Sequence, residues 1–468
     1  MDDAFMLSDV FGPRFLSSPS VFQAADWTKK RLEEIGLSSA RLEGIGPVEE
    51  PGFRWSQRGW TYSRFSLNLL EPQYANLTAI PVPYSPSTSG VVQGTPIRLD
   101  LPPPVTEALS EFFARNRGKL RGKLLLISAA RPIPLVPKPQ LSRLSDEQPK
   151  ELAMPQASDP NPPASPKPAR TQPSLAEVRS NFNRLFRFLK DEGVVGLING
   201  APGESGNLFV SSPLGVPDPD PVPPPMIDLI PEQYNRLVRL VERGLPVKLD
   251  LELKAEFLDP REPVNVLAEL PGGSLKNEIV MVGAHLDSWH GGTGATDNAA
   301  GVAIVLDALR VLKSLGVTLD RTVRVAFWGM HEMGTRGSRG YVQAHANEIP
   351  QIAYYLNADQ GGGRVRGVFV PHENMRDAAA AWLVPVRSLG ATTVSTRMAM
   401  KSDHRNFHSA GVKVLNLMQD PLQYETRTHH STMDYYDYLS PEDMRQAVAV
   451  VATLLYQAAS ASQLQDTH

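Results

Sequence analysis

The sequence predicts an α/β fold, a three-layer α/β/α sandwich around a mixed, largely parallel sheet. From Val264 onward, apolar runs typical of strands alternate with amphipathic stretches typical of helices. Residues 323–328 and 352–356 are short and continuously apolar, as expected for strands that helices cover on both faces. Ligands of such folds bind beyond the carboxyl ends of the strands, so the residues that follow these runs are candidates for a functional site.

The composition is that of a globular protein with more than one domain. The chain has 468 residues, more than one ordinary core accommodates, so two or three domains are expected. The net charge of −3 argues against a nucleic-acid partner, and no apolar run approaches the roughly 18–20 residues of a membrane span. The absence of cysteine excludes thiolate ligands and nucleophiles. Residues 1–12 lack signal-peptide features, which fits a cytoplasmic chain or a mature exported form.

The first 250 residues predict two regions, 1–85 and 86–250. Residues 20–35 have helical apolar spacing after Pro19, and Gly36 suits the end of that helix. Short strands and loops are expected between 38 and 84. The second region predicts a small inserted α/β domain, with strands at 122–128 and 193–198, a helix opened by the capping box of Ser174 and Glu177, and a helix at 230–242.

Within the inserted region, residues 131–173 are rich in Pro, Ser, Lys, Gln and Asp and nearly free of aromatic side chains. Such a segment buries too little apolar surface to offset the entropy of ordering. We therefore predict a mobile excursion, and a linker without its own function is favoured over a proline-rich docking site.

The third region, 251–468, predicts the main sheet and two long helices. Residues 298–315 carry an apolar stripe at helical spacing, and Gly316 suits the helix end. Ser440 and Pro441 open a final helix that runs to about 458, because Ser440 with Asp443 has the spacing of a capping box. Both helices are placed to cover a face of the sheet.

Histidine and carboxylate side chains follow each of three apolar runs. His285, Asp287 and Asp297 come after 279–282, Glu332 comes after 323–328, Asp359 comes after 352–356, and His430 lies near the C-terminus. These ligand types at strand ends predict two divalent ions that share one carboxylate. Asp297 is the candidate bridge, with His285 and Asp359 on one ion and Glu332 and His430 on the other. The set leaves an open position for water, and mixed N/O ligation favours zinc, with Co²⁺ or Mn²⁺ as substitutes.

Each of these residues also has an ordinary structural explanation. Asp297 alone is most simply a helix N-cap, and a single histidine is more often a structural residue than a ligand. The metal hypothesis therefore depends on the whole set, which is much harder to obtain by chance. Asp287 is predicted to hold the imidazole of His285 and raise its basicity. His290 and His429 are predicted not to be ligands, although His290 could contact substrate.

Four segments resemble the M28 family of di-zinc peptidases. They are GAHLDSWHGGTGATDNAAG at 283–301, FWGMHEMGTRGSRGY at 327–341, NADQGG at 357–362 and THHSTMD at 428–434. The resemblance extends over almost the whole chain and is looser across 86–250. It implies a phosphorylase/hydrolase-like fold with a protease-associated insert at 86–250. It also implies one zinc on His285, Asp297 and Asp359, and a second zinc on Asp297, Glu332 and His430.

The resemblance implies an exopeptidase, either an aminopeptidase or a dipeptidase, that hydrolyses short peptides near a free N-terminus. It also implies a secreted or periplasmic protein, and homodimers occur among similar proteins. The family has two adjacent glutamates where this chain has His331 and Glu332. The second glutamate is the metal ligand and the first is the general base, so the base position falls on His331.

Three hypotheses remain open at this point. In the first, neutral His331 accepts the proton that a glutamate accepts in the family, since its unperturbed pKa is about 6.5. In the second, the chain is a pseudo-peptidase that binds metal or peptide without turnover. In the third, it hydrolyses another amide bond. Residues 402–404, Tyr424 and Arg427 fit either substrate contact or loop structure.

Overall fold

The computed structural model describes residues 1–46, 58–133, 139–145, 147–153, 174–203, 206–210, 223–399 and 401–460. The chain divides into two compact units. The first unit combines Met1–Val48, Lys138–Ser158 and Glu262–His468, and the second combines Glu49–Pro137 and Asp159–Arg261. The chain therefore leaves the first unit and returns to it twice.

The helices and strands of the described residues follow one another as mixed α/β structure. The strands are β1 Ser38–Gly44, β2 Arg58–Glu71, β3 Ala75–Asn76, β4 Ala79–Pro81, β5 Val92–Arg98, β6 Lys123–Leu126, β7 Gly196–Gly200, β8 Met226–Leu229, β9 Lys248–Pro260, β10 Val264–Leu270, β11 Leu275–His285, β12 Arg321–Trp328, β13 Ile352–Asn357, β14 Val365–Phe369, β15 Thr393–Ser395 and β16 Lys413–Gln419. The α-helices are α1 Asp2–Phe5, α2 Pro19–Ile35, α3 Thr106–Asn116, α4 Gln148–Ala153, α5 Leu175–Asp191, α6 Pro231–Glu242, α7 Ala300–Ser314, α8 Arg336–Ala344, α9 Arg376–Trp382, α10 His404–Ser409 and α11 Pro441–Ala459. Among the described residues, no helix combines the length and apolar character needed to cross a bilayer.

The sheet of the first unit has the strand order β1-β10-β12-β11-β13-β16-β14-β15. The four central strands β12, β11, β13 and β16 run parallel to one another, whereas β10 and β14 flank them in antiparallel pairs. This arrangement confirms the predicted mixed α/β class. The carboxyl ends of the central strands meet at one edge of the sheet, where His285 of β11 pairs with Trp328 of β12.

Strand β11 shows that helices cover both faces of this sheet. Val280 and Val282 belong to a core that includes residues of α2, α7 and α11, whereas Met281 belongs to a second core with Tyr341 of α8 and Phe407 of α10. Because successive side chains of a strand alternate between faces, the two cores lie on opposite sides of the sheet. The first unit is thus a three-layer α/β/α sandwich.

The helices predicted for the first unit are present, with one difference at α7. Gly36 ends α2 in the left-handed region at φ 92°, and the Ser440 hydroxyl accepts a backbone N–H at the start of α11. α7 begins at Ala300 rather than at 298, because Asp297 and Asn298 have non-helical backbone angles. The Asp297 carboxylate therefore precedes the regular helix.

The second unit contains the sheet β3-β2-β9-β5-β6-β7-β8-β4. The predicted strands at 122–128 and 193–198 correspond to β6 and β7, and α5 carries the predicted capping box. The unit begins at Glu49 rather than at 86, because β2 is a strand of 14 residues that pairs along its length with β9. The expectation of only short strands between 38 and 84 is therefore wrong at β2.

Part of the predicted excursion at 131–173 has fixed partners in the first unit. Ser142 donates its backbone N–H to the carbonyl oxygen of Leu422, and the Ser395 hydroxyl donates to the carbonyl oxygen of Leu152. These contacts correct the prediction of a mobile segment for residues 139–145 and α4, because polar anchors replace the missing apolar contacts. Residues 134–138, 146 and 154–173 lie outside the described residues.

Candidate active site

His285, the last residue of β11, is completely buried, and both ring nitrogens have partners. Nδ1 lies 2.9 Å from the carbonyl oxygen of Asp287, so this nitrogen carries a proton and donates it. Nε2 lies 3.1 Å from Asp297 Oδ1 and 3.3 Å from Asp359 Oδ1. Burial disfavours the imidazolium, but Asp359 and Asp297 outweigh it and raise the pKa of His285 well above its ordinary value.

Asp287 supports the site in a different way from the predicted one. Its carboxylate is 3.8 Å from His285 Nδ1, because the carbonyl oxygen of Asp287 takes that donor instead. The two carboxylate oxygens accept the backbone N–H groups of His331 and Glu332 at 3.0 and 3.1 Å. Asp287 therefore fixes the turn that follows β12. Burial raises the pKa of Asp287 to about 6.

Asp297 lies at the centre of the cluster. Its backbone N–H donates to Asp434 Oδ2 at 3.1 Å, which anchors its main chain. Its Oδ1 accepts the Tyr424 hydroxyl at 3.1 Å and lies at the same distance from His285 Nε2. Its Oδ2 is 3.3 Å from His430 Nε2. The two oxygens of one carboxylate thus face different histidines, as expected for a ligand that bridges two ions.

Glu332 and His430 form the far side of the cluster. Glu332 Oε2 lies 3.0 Å from His430 Nε2. The other oxygen, Oε1, is buried without a hydrogen-bond partner among the described residues. A buried carboxylate oxygen without a partner costs free energy unless a cation or a water binds it. Burial disfavours the charged form of His430, but Glu332 raises its pKa to about 9.

His331 lies beside His285, with the two rings nearly parallel and their centroids 3.8 Å apart. His331 Nδ1 is 2.7 Å from Asp403 Oδ2. Asp403 is completely buried and also accepts the hydroxyl of Ser338. His331 Nε2 faces the cluster, 3.7 Å from Asp359 Oδ2. Burial and His285 lower the pKa of His331, but Asp403 and Asp359 outweigh them and raise it to about 9.

Arg14, which the sequence did not single out, organises the loop between His285 and Asp297. The side chain is fully buried and donates to the carbonyl oxygens of Leu286 at 2.7 Å and Gly294 at 2.9 Å. Burial lowers the pKa of Arg14 to about 10. Through these charge-assisted hydrogen bonds to backbone carbonyl groups, Arg14 fixes the conformation of the loop.

Among the residues that the structure describes, three groups of side chains could each hold a metal ion, because their ligand atoms lie within 4.8 Å of one another. The groups are His285 with His331 and Asp359, Asp297 with His429 and His430, and His285 with Asp297 and Glu332. The five predicted ligands are all among them. The unpaired oxygen of Glu332 and the mixture of imidazole and carboxylate groups both fit a divalent ion of the zinc type.

His429 joins these groups although the sequence predicted that it is not a ligand. Its Nε2 is 3.9 Å from Asp297 Oδ2, farther than the 3.3 Å of His430 Nε2. His429 Nδ1 faces Glu425 Oε2 at 3.5 Å. The longer distance keeps His430 as the proposed ligand.

The remaining sequence candidates have different surroundings. His404 is buried with both ring nitrogens unpaired among the described residues, and burial lowers its pKa to about 4. Arg427 donates to Gln140 Oε1 at 3.3 Å, which favours its loop role. His290 packs against Phe15, with ring centroids 5.2 Å apart.

Residues 265–455, which include every histidine and carboxylate of the cluster, match the family model described as Peptidase family M28. Carboxypeptidase Q of Mus musculus is 30% identical over 226 residues, 48% of this chain and 48% of the relative. Aminopeptidase YwaD of Bacillus subtilis (strain 168) is 29% identical over 224 residues, 46% of this chain and 49% of the relative. The chain thus spans about half the length of the curated relatives it matches.

Solved structures share the fold. A peptidase M28 precursor from Shewanella amazonensis SB2B has a TM-score of 0.68 and 23% identity, covering 98% of this chain and 93% of that chain. BSAP, a zinc aminopeptidase from Bacillus subtilis, has a TM-score of 0.57 and 18% identity, covering 99% of this chain and 95% of that chain. These structures agree with the family match, and the predicted resemblance is confirmed.

Proposed function

We propose that this chain, whose residues 265–455 match the model of Peptidase family M28, is a zinc exopeptidase that cleaves short peptides near a free N-terminus. An aminopeptidase or a dipeptidase fits this proposal. The observation that carries it is the central carboxylate of Asp297, whose two oxygens face His285 and His430. The names of the curated relatives, a carboxypeptidase and an aminopeptidase, support peptide substrates.

We assign two zinc ions to the cluster. His285, Asp297 and Asp359 would hold the first, and Asp297, Glu332 and His430 would hold the second. Bound zinc would polarise the scissile carbonyl and lower the pKa of water. Asp287 contributes by fixing the backbone of Glu332, and Tyr424 contributes by donating its hydroxyl to Asp297.

His331 is the proposed proton acceptor. Its Nδ1–H donates to Asp403, which leaves the lone pair of Nε2 directed toward the cluster. The ring takes a proton from the attacking water at Nε2 and returns it to the leaving amine. General acid–base catalysis of this kind contributes roughly 10²–10⁴-fold in rate. The carboxylate–imidazole pair thereby replaces a glutamate of the family pattern.

The protonation state of His331 depends on the carboxylates around it. Without metal, Asp403 and Asp359 raise its pKa to about 9, although burial and His285 oppose them. A general base works best when its pKa is near the operating pH. If a cation engages Asp359, the charge of that carboxylate favours the imidazolium less, and the pKa of His331 is lowered.

Three further proposals follow from the resemblance rather than from the site. Residues 86–250 are proposed to be a protease-associated insert. The chain is proposed to act outside the cytoplasm and to form a homodimer. Sedimentation of the purified protein and fractionation of the producing cell would test the last two.

The decisive experiment measures zinc content and turnover together. We expect the dialysed protein to retain two zinc equivalents and to hydrolyse dipeptides or aminoacyl-anilides, but not N-acetylated versions of the same substrates. His331→Glu is the matched variant, because it restores the family residue. We expect turnover of the natural protein to equal or exceed that of His331→Glu.

Two results would contradict the proposal in different ways. If the dialysed protein retained no zinc, the proposed zinc site itself would be refuted. Two zinc equivalents with no turnover, together with activity gained in His331→Glu, would identify a pseudo-peptidase that binds metal or peptide without cleaving it.

A further inference from the structure

Residues 140–144, which we call the brace, lie against the loop 420–430 that carries Tyr424 and His430. The Ser142 backbone N–H donates to the carbonyl oxygen of Leu422 at 2.9 Å. The Thr426 hydroxyl donates to the carbonyl oxygen of Gln140 at 2.7 Å. The brace thus contacts the loop through its backbone on both sides of Tyr424.

Arg143 connects the brace to two buried carboxylates. Its Nη1 lies 3.0 Å from Asp420 Oδ2, and its Nη2 lies 2.8 Å from Asp443 Oδ2. The Asp420 side chain is fully buried and also accepts the backbone N–H of Leu144 at 3.0 Å. Arg366 donates to the other side of Asp420 at 2.9 Å. The first residue of the loop is therefore fixed by the brace and by β14 together.

The loop needs this support because its functional end has an unfavourable backbone. His430 has φ 55°, a left-handed conformation that a non-glycine residue rarely adopts. Such a conformation persists only when the surrounding contacts determine it. Tyr424, in the same loop, donates its hydroxyl to Asp297. A loop free to relax would move both groups away from Asp297.

The brace and the loop are not packed closely along their whole length. A cavity of about 200 Å³ is lined by Leu141 and Arg143 of the brace and by Leu422 and Tyr424 of the loop, together with residues outside both segments such as Thr296. Apolar packing therefore contributes less here than in the cores, and the polar anchors at Asp420, Leu422 and Thr426 carry the attachment.

We propose that the brace is a positioning element of the active site, and that Arg143 is its main positioning residue. By holding Asp420 and the loop after it, Arg143 keeps Tyr424 and His430 at Asp297. The inference rests on the proposed metal site, because His430 and Asp297 are ligands there. It assigns a role in the first unit to a segment whose composition is that of a linker.

The test compares Arg143→Ala with Arg310→Ala. Arg310 is a matched control, because its side chain is 49% exposed against 44% for Arg143 and it pairs with Asp307 at 2.6 Å on α7. Zinc affinity is measured by competition with a chromophoric chelator, and amide hydrogen exchange of residues 423–431 is measured without metal.

We expect Arg143→Ala to lower the affinity for the more weakly bound of the two zinc ions by roughly tenfold to hundredfold. This is the usual range for residues that orient metal ligands. The tighter ion and Arg310→Ala should be unchanged. Amides 423–431 should exchange faster in Arg143→Ala alone. Unchanged zinc affinity and unchanged exchange in Arg143→Ala would overturn the proposal.

A second variant guards against misfolding. Thr426→Val removes one hydroxyl contact with Gln140 and leaves Arg143 in place, so we expect the same changes with smaller size. Two zinc equivalents in the natural protein with no effect of either variant would refute the brace and leave the proposed function intact. No zinc in the natural protein would refute the proposed function. The amide exchange of residues 423–431 would then still test whether the brace fixes the loop.

Discussion

At the scale of single residues, the two carboxylate oxygens of Asp297 face His285 and His430, and the carboxylate of Asp287 accepts the backbone N–H groups of His331 and Glu332. Histidine and carboxylate residues at strand ends predict the cluster because the carboxyl ends of parallel strands meet at one edge. The role of Asp287 could not be read in this way. The spacing places Asp287 close to His285. Whether its carbonyl oxygen or its carboxylate contacts the imidazole depends on how the chain turns after β11, and in the structure the carbonyl oxygen does so.

Asp403 is the residue that changes the interpretation of His331. The two are 72 positions apart, so no local pattern joins them. The sequence singled out residues 402–404 without a role. In neutral His331, the contact with Asp403 places the proton on Nδ1 and leaves the lone pair on Nε2, which is the form that the proposed base requires.

A double-mutant comparison tests this pair. Asp403→Asn should lower kcat by about a hundredfold or more with little change in KM, because an amide no longer favours the reactive tautomer of His331. In the His331→Glu background, Asp403→Asn should lower kcat far less, since the carboxylate of a glutamate needs no partner to select a tautomer. Steady-state kinetics of the four proteins measures both effects. Equal losses in the two backgrounds would mean that Asp403 acts only on folding.

At the scale of elements, apolar patterns predicted the strands and helices well. β11, β12, β13, α2 and α11 all overlap predicted segments, because burial of one face gives a helix its apolar period and burial of both faces gives a strand a continuous apolar run. The start of α7 was misplaced because the residues before it serve the cluster. Asn298 Oδ1 accepts the Gly301 N–H, and Asn298 Nδ2 donates to the carbonyl oxygen of Ala358.

The packing of α7 provides a stability prediction. Leu309→Ala should lower the free energy of unfolding by about 2–5 kcal/mol, since Leu309 is fully buried in the core shared with α11. Leu315→Ala is the control. Leu315 is 69% exposed just beyond the helix, so its substitution should change the free energy of unfolding by no more than about 0.5 kcal/mol. Denaturant unfolding of the metal-free proteins measures both, and similar values for the two would contradict the assigned faces.

At the scale of the whole molecule, the sequence predicted three regions with an insert at 86–250, whereas the second unit begins at Glu49 and Lys138–Ser158 belongs to the first unit. A long strand such as β2 carries no marker of the unit that it joins, because its partner β9 lies about 190 positions later. The return of residues 139–145 to the first unit was missed for a related reason. Hydrogen bonds and ion pairs hold that segment, and these leave no apolar period in the sequence.

Removal of the metal should lower the thermal stability of the entire first unit. A ligand that binds only the folded state stabilises it by about 2.7 kcal/mol at a concentration of 100 times Kd. We therefore expect a chelator to lower the Tm and added zinc to restore it. Glu332→Gln should show a smaller shift, because it weakens one proposed ligand. A Tm that does not respond while two zinc equivalents leave the protein would contradict a metal site coupled to folding.

The contact of Arg14 with the loop before Asp297 has a consequence for biosynthesis. Residues near the start of the chain support ligands at 285 and 297, and the last proposed ligand is His430. At about 5–20 residues per second, a ribosome needs roughly 7–30 s to pass from residue 285 to residue 430. A nascent chain therefore lacks the complete set of proposed ligands until residue 430 has been added, so the proposed metal site cannot form before that point.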